Sequence, residues 1–394
     1  MDISNYRPLG HFGWTENERW HGEKPFPLFK VDIDARAANR GIFDCFTNGY
    51  LGEGPKVAKL ERELEQLFHQ PTVLLNSGTS ALTLAYYMAG FKAGDYVIST
   101  TLTCLATNMA LVTMGVKILW ADVDPANGML DPISVLGLLK RYGDQVKGVV
   151  HVDWGGDVGH LKALAGICDL MGIPLIEDAA HTFSAYQDEP GDCDGIVQAK
   201  AMSYQAIKIF TCGDGGGLLV RSEPEAARAR LLRWFGLDRT QGASMRCYQQ
   251  VPEAGFKMHM NDIAASIGLA QLPLVAERIK KARANAKVYD TLFAGCKSIT
   301  PLTRHPGSSC WLYSIKVPNA KAFIQVMGET YNIECSQVHA RNDTQEAAFG
   351  PMQGDLIGMD ELDRTLVCIP VGYWLYVEDV VNIGLRAIAV AEKL

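Results

Sequence analysis

The sequence predicts an α/β protein in two parts: a large domain on a mostly parallel sheet, then a smaller α+β domain. Three observations predict it. Between residues 72 and 178, short apolar runs alternate with longer runs of helical length, the pattern left by parallel strands and their crossover helices. Those short runs are largely apolar rather than alternating with polar residues, as in strands covered on both faces. From about Ser298 the rhythm changes to widely separated strand and helix patterns. With 394 residues and 48% apolar content, the chain has the material for two or three packed domains.

Taken in order, residues 1–30 are rich in aromatics, Pro and Gly and lack periodicity. They read as an N-terminal arm that wraps over the body or a second subunit. The large domain is assigned to 31–260, and a linking helix with the small domain to 261–394. The stretch Gly49-Tyr50-Leu51-Gly52-Glu53-Gly54-Pro55 precedes a helix marked by Leu60, Leu64, Leu67 and Phe68. Thr72–Leu75 is a strand that passes through Asn76-Ser77-Gly78-Thr79-Ser80 into a helix, Ala81–Ala89. Strands follow at Tyr96–Ser99, Val116–Ala121, Gly148–Val152 and Ile173–Ile176. The helices between them are Leu105–Met114, Pro132–Arg141 and Leu161–Met171, the second opened by a proline suited to a first turn.

Ala199–Val220 comes next. It reads as a buried strand to Ser203, a connection carrying Lys208, a glycine run and a second strand, Gly217–Val220. Glu223–Trp234 is a helix and Gly236–Gly255 an irregular loop. Asn261–Ala286 is a long amphipathic helix that Pro273 must kink or restart. In the small domain Tyr313–Val317 and Leu366–Ile369 are strands, and Ala320–Tyr331 and Val377–Lys393 helices.

Composition excludes several functions. The net charge is 37 − 44 = −7, without a long basic run or arginine-rich face to bind nucleic acid. No apolar run is long enough to span a bilayer, and the start lacks the charged-then-apolar order of a secretory signal. No membrane association and a cytoplasmic location are therefore expected. Ten scattered cysteines never fall in C-x-x-C spacing, and the nine histidines form no H-x-x-x-H pair, so no metal site is expected.

The chemistry is read at three strand ends, where open α/β sheets bind ligands. Gly78-Thr79-Ser80 stands where a strand turns into a helix. Free N–H groups, the positive dipole end and two hydroxyls suit a phosphate there. Glu177-Asp178-Ala179-Ala180-His181 ends another strand, where Asp178 is placed to keep a ligand's ring nitrogen protonated. Lys208 follows a third strand. A framed lysine must reach water or be neutralised, and one way is a bond to an aldehyde. Ser203, five residues earlier, adds a phosphate donor. Each feature alone reads more readily as an N-cap, a helix cap or ion pair, or a surface lysine. All three in this order are the requirements of pyridoxal 5′-phosphate.

From about Pro27 onward the chain resembles the DegT-like sugar aminotransferases, fold-type I pyridoxal-phosphate enzymes. The matching segments are Gly49–Gly54, N-S-G-T-S-A-L at 76–82, D-V-D at 122–124 and E-D-A-A-H at 177–181. S-Y-Q-A-I-K at 203–208, G-D-G-G at 213–216 and G-F-K-M-H-M-N-D at 255–262 complete them. The resemblance implies an aspartate-aminotransferase-like large domain, a small C-terminal domain and a homodimer with active sites at the interface. It makes Lys208 the Schiff-base lysine and Asp178 the partner of the pyridine nitrogen. Gly78, Thr79, Ser80 and Ser203 become the phosphate cradle, and His181 a neighbour of the ring substituents.

Two positions depart from the family pattern. Cys104 stands where many members stack an aromatic on the cofactor. Lys257 stands where many have an asparagine that reaches the phosphate across the dimer. The implied reaction moves an amino group from an amino acid, L-glutamate in most members, to a keto sugar. The acceptor expected here is a nucleotide-linked 4-keto-6-deoxyhexose. Lys208 shuttles the proton. A related dehydratase branch carries histidine in place of the lysine, so Lys208 favours amino transfer. Keto-sugar dehydration, amination of a cyclitol and a non-catalytic regulatory role are the alternatives. His339 and Arg341, in His339-Ala340-Arg341-Asn342-Asp343, and Tyr50 are the candidates for substrate contact.

Overall fold

The computed structural model describes residues 26–183, 197–241, 248–351 and 354–394. The predicted arm lies outside these residues up to position 25. Seven strands form the main sheet: β1 (Thr72–Leu75), β2 (Tyr96–Thr100), β3 (Lys117–Ala121), β6 (Val146–Val152), β7 (Leu175–Asp178), β8 (Val197–Ser203) and β9 (Gly216–Val220). A two-stranded ribbon, β4 (Val123–Asp124) and β5 (Met129–Leu130), branches off between β3 and β6. The order across the main sheet is β1-β9-β8-β7-β6-β2-β3. Five of these strands pair in parallel, and β9 runs antiparallel between β1 and β8.

Alternate residues of the central strands face different cores. Val150 and Ile176 join one cluster with helix residues Leu60, Leu82 and Leu232, and Val149 and Leu175 join another with Leu139 and Leu164. This two-sided burial is why the strands read as apolar runs rather than alternating ones.

A third cluster is built around β11 (Tyr313–Lys316), which pairs antiparallel with β12 (Leu366–Ile369) on one side and the short β10 (Thr300–Pro301) on the other. Helices Val275–Phe293, Ala320–Tyr331 and Val377–Ala391 pack there. Phe26 belongs to this cluster. Its N–H donates to Asn332 O and its carbonyl accepts from Glu334 N, at 2.8 and 2.9 Å. Pro273 lies in a short 3-10 turn, Leu272–Leu274, that divides helix Asp262–Gln271 from Val275–Phe293. The sequence shows that break because proline lacks the N–H that a continuous helix needs. Helices Ala35–Asn48 and Ile357–Thr365 were not expected from the sequence. The first is fixed by its ends: Asp34 caps it through Ala37 N at 2.9 Å, and Gly49 closes it with φ 75°.

One buried ion cluster sets the entry to the sheet. Arg233 is 3% exposed. Its guanidinium donates to Glu61, to Leu74 O at 2.8 Å and to Glu53 at 2.7 Å. Glu61 also accepts Leu74 N–H at 2.8 Å. Helix Pro55–Phe68, the end of β1 at Leu74 and the end of helix Glu223–Leu232 are thereby tied together, three residues before Ser77. Removing one partner of a buried pair leaves the other charge uncompensated. Arg233→Ala is expected to lower stability by about 3–5 kcal/mol, read as a lower urea midpoint.

Candidate active site

The carboxyl ends of β1, β7 and β8 open into one cavity of about 380 Å³. At β1 the chain turns through Ser77, whose backbone is extended, into helix Gly78–Met88. Ser77 Oγ accepts from Ser80 N at 3.1 Å, and the first-turn N–H groups of Gly78 and Thr79 precede any intrahelical acceptor. Ser77, Gly78 and Thr79 line the cavity, with Ser203 from the end of β8. A Cβ on residue 78 would stand 2.9 Å from the Cβ of Ser203, so only glycine lets β8 approach this turn. Ser80 does not line the cavity. Its hydroxyl donates to Asn76 Oδ1 at 2.6 Å and accepts from Ser77 at 2.9 Å. At this turn the cavity is lined by Ser77, Gly78, Thr79 and Ser203, with Ser80 bracing the turn from outside it.

Asp178 closes β7 and is buried. Its Oδ2 accepts from Thr107 Oγ1 at 2.6 Å and its Oδ1 from Ala180 N at 3.1 Å. Burial raises its carboxyl above the ordinary range, while both hydrogen bonds and the Lys208 charge act the other way. Thr107 also pairs with Thr103 at 2.7 Å, anchoring the segment that carries Cys104. Cys104 is exposed into the cavity and precedes helix Leu105–Thr113.

Lys208 enters from the connection after β8. Its Nζ lies 3.8 Å from the ring centroid of Trp311. Burial lowers its pKa to about 8, opposed by the charges of Asp178 and Cys104. Trp311 is stacked with Phe29, centroids 4.7 Å apart, and lies tilted against His181, at 4.0 Å. His181 Nδ1 accepts the Gly155 N–H at 3.3 Å, which puts the proton of the neutral ring on Nε2. Burial, then Lys208 and His339, hold that ring well below ordinary imidazole basicity.

His339 comes from the other end of the chain. Its ring is near-parallel to that of His181, with centroids 6.0 Å apart, and its buried Nε2 has no hydrogen-bond partner. Burial and the Lys208 charge lower its pKa to about 4. Asn342, three residues on, pins this loop to the Cys104 segment. Its N–H donates to Thr101 O at 3.0 Å, its Nδ2 to Thr103 O at 2.9 Å, and its Oδ1 accepts from Asn108 at 2.9 Å.

The cavity thus gathers Gly78, Thr79, Cys104, Asp178, His181, Ser203, Lys208 and His339 from the residues singled out in sequence. Arg341, Tyr50 and Lys257 are not brought to it within one chain. The Arg341 guanidinium is bound to Asp343 at 2.9 and 2.7 Å and to Asp360 at 2.6 Å. Tyr50 is 55% exposed, and Lys257 lies 3.5 Å over the Trp234 ring on an exposed face. Sequence reading missed Ser77, Thr107, Trp311, Phe29 and Asn342. Ser77 and Asn342 stood inside stretches already singled out; Thr107, Trp311 and Phe29 did not. Among the described residues no cluster of His, Cys, Asp and Glu is placed to hold a metal ion, and no helix is long and apolar enough to cross a membrane.

An amine of lowered basicity beside a buried acid and an anion cradle is the equipment of an enzyme that handles amino groups. The comparisons with known proteins give the same class. The model of the DegT/DnrJ/EryC1/StrS aminotransferase family matches residues 33–384, and the chain belongs to that family. It is 31% identical to the UDP-4-amino-4-deoxy-L-arabinose--oxoglutarate aminotransferase of Shewanella sediminis (strain HAW-EB3), over 72% of this chain and 74% of that one. It is 30% identical to the dTDP-4-dehydro-2,3,6-trideoxy-D-glucose 4-aminotransferase of Saccharopolyspora spinosa, over 64% and 67%. The crystal structure of AtS13 from Actinomadura melliaura superposes with a TM-score of 0.83 at 34% identity, covering 95% of this chain and 100% of that one.

The neutral amine is the reactive form. Acylation of Lys208 in the cofactor-free protein is therefore expected to rise with pH through a midpoint near about 8. Asp178→Asn removes a charge that favours the ammonium, so its midpoint falls lower. Competitive labelling across pH, with mass spectrometry of the Lys208 peptide, checks both.

Proposed function

We propose that this protein is a pyridoxal-phosphate-dependent aminotransferase that moves an amino group from L-glutamate to a nucleotide-linked 4-keto-6-deoxyhexose. The observation that carries the reading is the convergence of Lys208, Asp178 and the Ser77–Thr79 turn in one cavity. The cradle fits a phosphate in size and chemistry: two free N–H groups at a helix start, three hydroxyls, and a glycine where a side chain would collide with Ser203. The raised pKa of Asp178 marks a buried carboxyl that a protonated ring nitrogen would hold ionised. When bound, pyridoxal phosphate supplies an aldehyde carbon to carry the amino group and a ring that withdraws electrons from the substrate carbon.

The protein's residues supply the rest. Ser77, Thr79 and Ser203, with the Gly78 N–H, hold the phosphate. Asp178, oriented by Thr107, keeps the proton on the ring nitrogen. Cys104 and Ala180 border the space for the ring and shield it from water. Lys208 Nζ would hold the cofactor through its aldehyde carbon between turnovers. Once displaced, it takes the proton from the donor's α-carbon and returns it on the other side of the exchange. A pKa near about 8 suits an amine that must carry and release a proton near neutral pH.

The donor and acceptor rest on chemistry shared with relatives. The Shewanella relative's name pairs oxoglutarate with a sugar nucleotide aminated at carbon 4, and the Saccharopolyspora relative's name gives a 4-keto deoxysugar nucleotide. His339, with an unpartnered Nε2 in the cavity, is suited to a sugar hydroxyl. A homodimer is part of the reading. Phe43, Phe46 and Tyr50 are 65%, 61% and 55% exposed, an apolar face suited to a second copy that would bring Tyr50 and Lys257 to the neighbouring site.

Incubation with pyridoxal phosphate, L-glutamate and nucleotide-linked 4-keto-6-deoxyhexoses is expected to release 2-oxoglutarate. Lys208→Ala is expected to lose both turnover and the visible absorbance of the bound cofactor. Turnover with an inosose and with no keto sugar would overturn the acceptor class. Gly78→Ala, which crowds Ser203, is expected to weaken cofactor binding about 10–100-fold by losing charge-assisted hydrogen bonds, measured by absorbance titration.

A further inference from the structure

Trp311 has no assigned role, yet it makes the close contact to the reactive amine. The indole is 6% exposed and fixed on three sides. Its Nε1 donates to Ile207 O at 3.0 Å, so the ring is held in register with the backbone one residue before Lys208. Phe29 stacks on it at 4.7 Å and 20°, and His181 lies at 4.0 Å and 33°. The Lys208 Nζ stands 3.8 Å from its centroid, well inside the 6 Å or so over which a ring quadrupole attracts a cation.

The other groups around the amine leave this contact work to do. Asp178 comes from the end of β7, with its oxygens engaged by Thr107 and Ala180. Cys104 comes from the segment after β2. His181 and His339 are held neutral and add no negative charge. An ammonium here has lost much of its water, and the indole face offsets part of that loss.

We propose that Trp311 is a positioning residue whose indole face holds the Lys208 amine when it is free of the cofactor and carries a proton. The amino-transfer reading gives this contact its use: an amine released in mid-cycle must stay at the reacting carbon with its proton rather than swing to solvent. Its measurement does not depend on that reading. The contact favours the charged amine, so removing it moves the titration of Lys208 to lower pH.

Competitive labelling of Lys208 in the cofactor-free protein tests this. Trp311→Leu is expected to lower the midpoint by about one pH unit, and Trp311→Phe, which keeps a ring face, by distinctly less. In amino transfer, kcat is expected to fall in Trp311→Leu with little change in KM for the sugar, and to recover in part in Trp311→Phe. An unchanged midpoint in folded Trp311→Leu, or equal shifts in both variants, would overturn the proposal. Should Trp311→Leu fail to fold, growth on ring-fluorinated tryptophan keeps the shape and weakens the ring's attraction. The Lys208 midpoint must then fall, and a midpoint that stays put overturns the proposal. Absence of amino transfer by the unmodified protein would sink the proposed function and leave the labelling result to judge Trp311 alone.

Discussion

An amine cannot be taken out of water without compensation, and the active-site end of this molecule is organised by that constraint. Lys208 needs a counter-charge, a polarisable face and an exit for its proton. Asp178 supplies the first from the end of β7, and Trp311 the second from the segment before β11. The compensation is partial, which is why the amine stays reactive.

The parallel sheet makes the convergence possible. Strands running the same way bring their carboxyl ends to one edge, so β7 and β8 deliver Asp178 and Ser203 to the same cavity. The reversed strand β9 lets β1 end there too, beside Ser203. The Arg233 cluster then fixes where β1 stops, and so where the helix beginning at Gly78 points its N–H groups.

The opposite wall comes from residues distant in sequence. Trp311 and His339 face the sheet edge from the C-terminal third, and Asn342 ties their side to the Cys104 segment by three hydrogen bonds. Phe29 completes the stack on Trp311 just after Phe26 has joined the C-terminal core. The unusual Cys104 thus sits in a site whose aromatic surface is supplied from the other side, by Trp311, Phe29 and His181.

Local order by itself determined a good deal here. Apolar runs and their spacing marked the strands of the main sheet, because burial on both faces leaves a signal within a few residues. Pro273 marked the helix break, and Lys208, Asp178 and Gly78-Thr79 stood inside short motifs whose chemistry is local to a strand end. Two helices, Ala35–Asn48 and Ile357–Thr365, escaped although each has an apolar face. What only the tertiary structure decided are the partnerships across hundreds of residues. It put Ser77 rather than Ser80 on the cavity wall, committed Arg341 to Asp343 and Asp360, and set Trp311 beside Lys208. A tryptophan reads the same in sequence whether it fills a core or holds an ammonium, and only the position of its face distinguishes them.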